Sequence, residues 1–243
     1  MDVDSVREIA ERSDPNGEPR IDIIRPARTH GTRLGVFASS FNPPTIAHTE
    51  LIRRSAKAFS LDETLALAGK TNADKRNYEC PLEDRLAMLM LALAESHDTS
   101  IGLSTHGFYV DMLDALEQVY GKETRLHFIV GFDTFERVLD LEDRYTARYH
   151  RAFKNRMEAV EYLTTRSTLI VASRNGADVK SVESLLEQSG SVSPGSVKYL
   201  DFPSDLGELS ATEVRARRRQ GRPTTGLLPP LVENYIQERG LYI

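Results

Sequence analysis

The densest chemistry in this chain lies in Leu34-Gly35-Val36-Phe37-Ala38-Ser39-Ser40-Phe41-Asn42-Pro43-Pro44-Thr45-Ile46-Ala47-His48. Leu34–Ala38 reads as a buried strand. The small residues and two prolines read as a tight turn, and Thr45 onward as a helix carrying His48 in its first turns. A turn that feeds a helix leaves unpaired N–H groups at the positive end of the helix dipole. Such a place favours phosphate. An imidazole beside it suits a site that holds a nucleotide by its phosphates.

Elements must position these groups. Short runs rich in Val, Ile and Leu predict strands at 34–38, 64–68, 100–104, 126–130, 169–172 and 197–200. Helical patterns predict helices at 45–59, 82–95, 109–120, 134–139, 182–187, 212–219 and 231–239. Strands alternating with helices predict an α/β fold: a Rossmann-like doubly wound parallel sheet, helices on both faces, in a single domain. Ligands of such sheets bind at the C-terminal strand edge near the switch point. The motif around His48 follows the first strong strand, so position and chemistry agree. Residues 1–31 read as an N-terminal extension and 32–243 as the domain. The basic stretch 144–166 reads as a helix inserted over the sheet.

Bulk properties narrow the class. With 243 residues and 40% hydrophobic content, the chain can bury a large core. A net charge of -5 argues against a molecule that binds polyanions all over its surface. Cys80 is the only cysteine, so no disulfide forms within the chain and no thiolate metal cluster exists. No apolar run is long enough for a membrane span, and the first residues lack a signal-peptide pattern. The expected location is inside the cell, in cytoplasm or nucleus.

Several segments resemble one family. Ser39-Ser40-Phe41-Asn42-Pro43-Pro44-Thr45-Ile46-Ala47-His48 is similar to the GSFNPxTxxH signature of nicotinamide- and nicotinate-mononucleotide adenylyltransferases, within the nucleotidyltransferase superfamily that carries an (H/T)xGH motif. Leu209-Ser210-Ala211-Thr212-Glu213-Val214-Arg215 resembles the family's ISSTxxR segment. The tail from Leu228 to Ile236, then Leu241-Tyr242, resembles its LVPxxVxxYIxxxxLY ending. The order and spacing of these segments make the match specific.

The resemblance implies transfer of an adenylyl group from ATP to the phosphate of nicotinamide or nicotinate mononucleotide, with pyrophosphate leaving. His48, as imidazolium or N–H donor, would contact the α and β phosphates. Thr45 would add a hydroxyl, and the backbone around Ser39, Ser40 and Phe41 would frame the same groups. Ser210 and Thr212 at a helix start, with Arg215 one turn in, would grip the β and γ phosphates. Gly131 and Asp133 match a strand ending in GxD, with Asp133 on the ribose hydroxyls. Arg174 matches a later Arg-x-Gly stretch, and Lys75 the basic loop after the second strand. Mg2+ is expected to arrive on the triphosphate, with no metal ligands assigned to the protein.

Two departures stand out. Ser39 occupies the place of a family glycine, and the chain has no tryptophan, on which relatives stack the pyridine ring. Phe108, Tyr109, Phe135 and Tyr145 are the candidate replacements. Other readings therefore stay open: a different phosphorylated acceptor, a nucleotide-binding regulator without turnover, or an RNA-binding protein using the arginine-rich stretch. Nucleic acid is the least favoured partner, because aromatics at helical spacing in 144–166 suggest a packed face. Ser210, Thr212 and Asp133 also fit helix caps. A homo-oligomer is compatible with the sequence.

Overall fold

The computed structural model describes residues 14–70, 78–174 and 176–243. Its centre is a seven-stranded sheet in the order β1-β4-β3-β2-β5-β6-β7. The strands are β1 (Ile21–Arg25), β2 (Arg33–Ser39), β3 (Glu63–Gly69), β4 (Thr99–Ser104), β5 (Arg125–Gly131), β6 (Ser167–Ala172) and β7 (Val197–Leu200). All neighbours pair parallel except β1, which runs antiparallel to β4.

Alternation along the strands explains the layers, since successive side chains point to opposite faces. Leu65 and Leu67 of β3 join one core cluster with Val36, Phe128, Val130 and Val171. Ala66 and Ala68 join the other with Phe37, Ile129 and Ile170. Both faces are apolar, so both need covering, and helices supply the cover. Helices α1 (Ile46–Ala58) and α2 (Leu82–Ala92) cover one face through Leu51, Ile52, Leu86 and Leu89. Helices α3 (Tyr109–Tyr120), α4 (Phe132–Leu139), α5 (Arg156–Arg166) and α6 (Val179–Ser189) contribute to the other. A short α7 (Ser204–Gly207) precedes α8 (Ala211–Arg219) and α9 (Pro230–Glu238). Val214 of α8 and Val232 and Ile236 of α9 pack with Met88 of α2 in a third cluster.

The structure departs from the sequence reading in two places. Ile21–Arg25 lies in the stretch read as an extension, yet it pairs with β4, Ile21 opposite Ser104. Its partner is some eighty residues away, so no local turn or hairpin signal announces the pairing. The stretch 144–166 is not one helix. Asp140, at a φ of 46°, ends α4, and its carboxylate accepts from the N–H groups of Arg144 and Tyr145 at 2.8 and 2.9 Å. A 3-10 turn, Thr146–Arg148, follows, and α5 starts only after Asn155, whose side chain accepts from the Glu158 N–H. Short polar side chains that satisfy nearby backbone groups end and start helices in this way. Three arginines of the stretch pair with acids: Arg151 with Asp114 at 3.0 Å, Arg166 with Glu117 and Arg144 with Glu142.

Candidate active site

A crevice opens where the strand order reverses. From β2 the chain moves outward to β3 and β4, then returns to β5 on the other flank of β2. The helices that follow β2 and β5 join opposite faces, so the strand ends part and leave a gap. A cleft of about 450 Å³ occupies this gap. The first turns of α1, α3, α4 and α8 all contribute lining residues, among them Ala47, Tyr109, Thr134 and Thr212. Converging helix N-termini favour an anionic ligand.

The turn between β2 and α1 forms one wall. Phe41 has a φ of 44°, a region that L side chains enter at a cost of order 1–2 kcal/mol. Its ring, 1% exposed, packs with centroids 5.8 Å from Phe37 and 5.4 Å from His48. The turn thus exchanges backbone strain for a buried aromatic anchor. Ser39 and Ser40 line the cleft beside it.

His48 lines the same wall, and its tautomer follows from its contacts. The Thr45 backbone N–H donates to His48 Nδ1 at 2.9 Å. An accepting Nδ1 leaves the proton of the neutral ring on Nε2. Burial, then the charge of Arg174, lowers the imidazole pKa to about 4. Near neutrality His48 is therefore an uncharged N–H donor. Ser39 Oγ lies 3.5 Å from Nε2. Thr45 is fully buried, and its hydroxyl sits 2.9 Å from His48 Nδ1. Its side chain orients the imidazole and does not line the cleft, unlike the free hydroxyl read from sequence.

The opposite wall comes from α8. Ser210 is its N-cap, accepting from the Glu213 N–H at 3.1 Å. Ser210, Ala211 and Thr212 line the cleft. Arg215 does not. It is 9% exposed; one Nη donates to the Asn42 carbonyl at 2.7 Å and the other to Thr212 Oγ1 at 3.3 Å. Its position one turn below the cap turns it into the packed interface, so the expected grip on phosphate gives way to a grip on the turn.

Between these walls, Gly131 and Arg174 line the floor. Asp133 stands 3.5 Å from Arg174 in an ion pair, and Gly131, not Asp133, is the α4 N-cap. Phe108, Tyr109 and Tyr145 line the far end, joined by Tyr149. Phe108 has its centroid 5.7 Å from Tyr145 and 5.0 Å from Tyr149. Phe135 is absent from this aromatic shelf. It is fully buried with Leu139, four residues on, and that spacing puts both on the core side of α4. Thr134 and Arg137 occupy the cleft side. Arg137, which the sequence reading missed, donates to the Asp133 carbonyl at 3.2 Å and to Thr134 Oγ1 at 3.1 Å. The helical phase of α4 was the available signal. Lys75 lies outside the described residues. Among the described residues, no cluster of three or more His, Cys, Asp or Glu could hold a metal ion.

Comparison with known proteins places these features in context. The cytidylyltransferase-like family matches residues 36–217. A probable nicotinate-nucleotide adenylyltransferase of Sodalis glossinidius is 28% identical over 229 residues, covering 85% of this chain and 95% of the relative. One from Geobacter sulfurreducens is 27% identical, covering 86% and 98%. In fold, the chain is similar to Plasmodium falciparum nicotinic acid mononucleotide adenylyltransferase complexed with NaAD, with a TM-score of 0.64 and 18% identity over 87% of this chain and 98% of that one.

Proposed function

This chain belongs to the cytidylyltransferase-like family, and we propose that within it the protein transfers the adenylyl group of ATP to a pyridine mononucleotide, nicotinate mononucleotide first. One observation carries the reading. His48 and the N-terminus of α8 line a single cleft at the sheet switch point, and an aromatic shelf closes its far end.

In this reaction a phosphate oxygen of the acceptor attacks the α-phosphorus of ATP. The new P–O bond forms as the bond to the β-phosphate oxygen breaks, and pyrophosphate departs with the electron pair. Phosphoryl-type transfers of this kind depend on positioning and charge stabilisation. His48 Nε2–H donates to the phosphates as charge develops there, held ready by the Thr45 contact. The α8 N-terminus, with Ser210 and Thr212, takes the leaving pyrophosphate. Arg174 adds positive charge on the floor, and Asp133 beside it accepts from ribose hydroxyls. Phe108, Tyr109, Tyr145 and Tyr149 take the place of the family's stacking tryptophan. Mg2+, carried in on the triphosphate, would supply charge neutralisation at the phosphates.

Two features support nicotinate over nicotinamide. The relatives are named for nicotinate nucleotide. Arg137 lines the cleft, and Arg148 stands over the rings of Phe108 and Tyr145 at 5.1 and 5.4 Å, so guanidinium groups lie within reach of the shelf for a carboxylate. The test is incubation with ATP, Mg2+ and either mononucleotide, with dinucleotide and pyrophosphate measured. Product should form faster with nicotinate. Protein that binds ATP yet is inert with both acceptors would favour a regulator.

A further inference from the structure

Three side chains from distant parts of the chain meet the turn at Ser40–Asn42, and none of them lines the cleft. Arg85 of α2 is 2% exposed. One of its Nη atoms donates to the Ser40 carbonyl at 2.8 Å and to the Gly69 carbonyl at 3.1 Å, tying the ends of β2 and β3 together. Its guanidinium lies 3.9 Å from the centroid of the Tyr78 ring. Arg215 donates to the Asn42 carbonyl. Tyr242, next to the last residue, donates its hydroxyl to Asn42 Oδ1 at 2.6 Å. Both members of that last pair are buried, Tyr242 at 8% and Asn42 at 4% exposure.

Peptide geometry gives the Arg85 contact a consequence. Across a trans peptide the carbonyl and the next N–H point in opposite directions. Fixing the Ser40 carbonyl towards Arg85 fixes the Phe41 N–H away from it. That N–H is then presented to an anion without reorganising, while Arg215 and Tyr242, bonded to Asn42 ahead of Pro43, which has no N–H, hold the shape of the turn. Burying a guanidinium is costly unless it is hydrogen bonded, and here its bonds go to the backbone that frames the cleft.

We propose that Arg85 and Tyr242 are positioning residues for the phosphate-binding turn, acting through Ser40 and Asn42 without touching the nucleotide. The proposal rests on the nucleotide-binding reading above but not on the identity of the acceptor.

Calorimetric titration of the full chain with pyrophosphate alone tests it. Tyr242→Phe keeps the buried ring and removes the hydroxyl, with its bond to Asn42 and its contact with Cys80, so affinity should fall about three- to ten-fold. Arg85→Gln should cost about ten- to a hundred-fold, with Arg85→Lys recovering part of the loss. In turnover, kcat should fall while the KM for the acceptor stays put. Tyr242→Phe protein with wild-type pyrophosphate affinity would overturn the proposal, whatever its melting temperature. That variant decides alone if Arg85→Gln does not fold. Wild-type protein unable to bind pyrophosphate would overturn the nucleotide reading as well. Inertness towards pyridine acceptors would leave this titration valid.

Discussion

The backbone N–H of Thr45 reaches Nδ1 of His48 across 2.9 Å, so the first turn of the helix that carries the imidazole also selects its tautomer. A neutral ring with its proton on Nε2 has one donor left for a ligand. Nitrogen NMR of the free protein should show the Nε2–H form and a His48 midpoint near 4. The kcat/KM profile should then carry no His48 inflection between about pH 6 and 8. The sign for stability follows. The unfolded chain binds this proton near pH 6.5, the folded one only near 4. His48 therefore contributes stability that is full above about pH 6.5 and lost as pH falls towards 4, at most about 3 kcal/mol. Asp111, raised to about 6 by burial, works in the opposite direction over much of that window. Comparing wild type with His48→Gln from pH 7 to 5 isolates the histidine.

Removing the imidazole tests catalysis. His48→Ala should lower kcat about 100- to 1,000-fold, the usual loss for one well-placed donor to developing charge. Circular dichroism should stay native. Unchanged turnover would remove His48 from the mechanism.

Arg174 acts on both ligand and imidazole. It lines the cleft, and its charge helps to depress the His48 pKa. Arg174→Gln should raise the His48 midpoint and raise the KM for ATP about ten-fold. Steady-state kinetics and the NMR titration read the two effects separately.

Phe135 and Tyr145 should separate cleanly. Phe135→Ala empties a fully buried core position and should cost about 3–5 kcal/mol in denaturant unfolding. The milder Phe135→Leu should lower the melting temperature and leave the acceptor KM alone. Tyr145→Leu should raise the acceptor KM about two- to ten-fold through lost stacking.

Metal dependence should track the nucleotide. Chelation should abolish turnover, and added Mg2+ should restore it in proportion to the Mg–ATP complex. The ion should enter with the triphosphate, so binding of Mg2+ to the protein alone should be weak.

Much of the architecture was legible in the chain. Short apolar runs separated by helical patterns marked six of the seven strands and most helices near their observed bounds. The strand-turn-helix at 34–48 announced an anion site, because each of its requirements is local: small residues, a turn and a helix start. Boundaries failed where polar side chains intervened, as at Asp140 and Asn155. Strand β1 failed because its partner is remote.

By itself, then, the sequence determined the alternating sheet and the two segments that meet at its switch point, since periodicity and turn chemistry act over a few residues. Only the tertiary structure decided which way those residues face. Arg215 turns to the Asn42 carbonyl, Phe135 turns to the core, and Tyr242 reaches Asn42 across 200 positions of sequence. Such directions depend on what lies opposite after the chain has folded, and no local spacing encodes that neighbour.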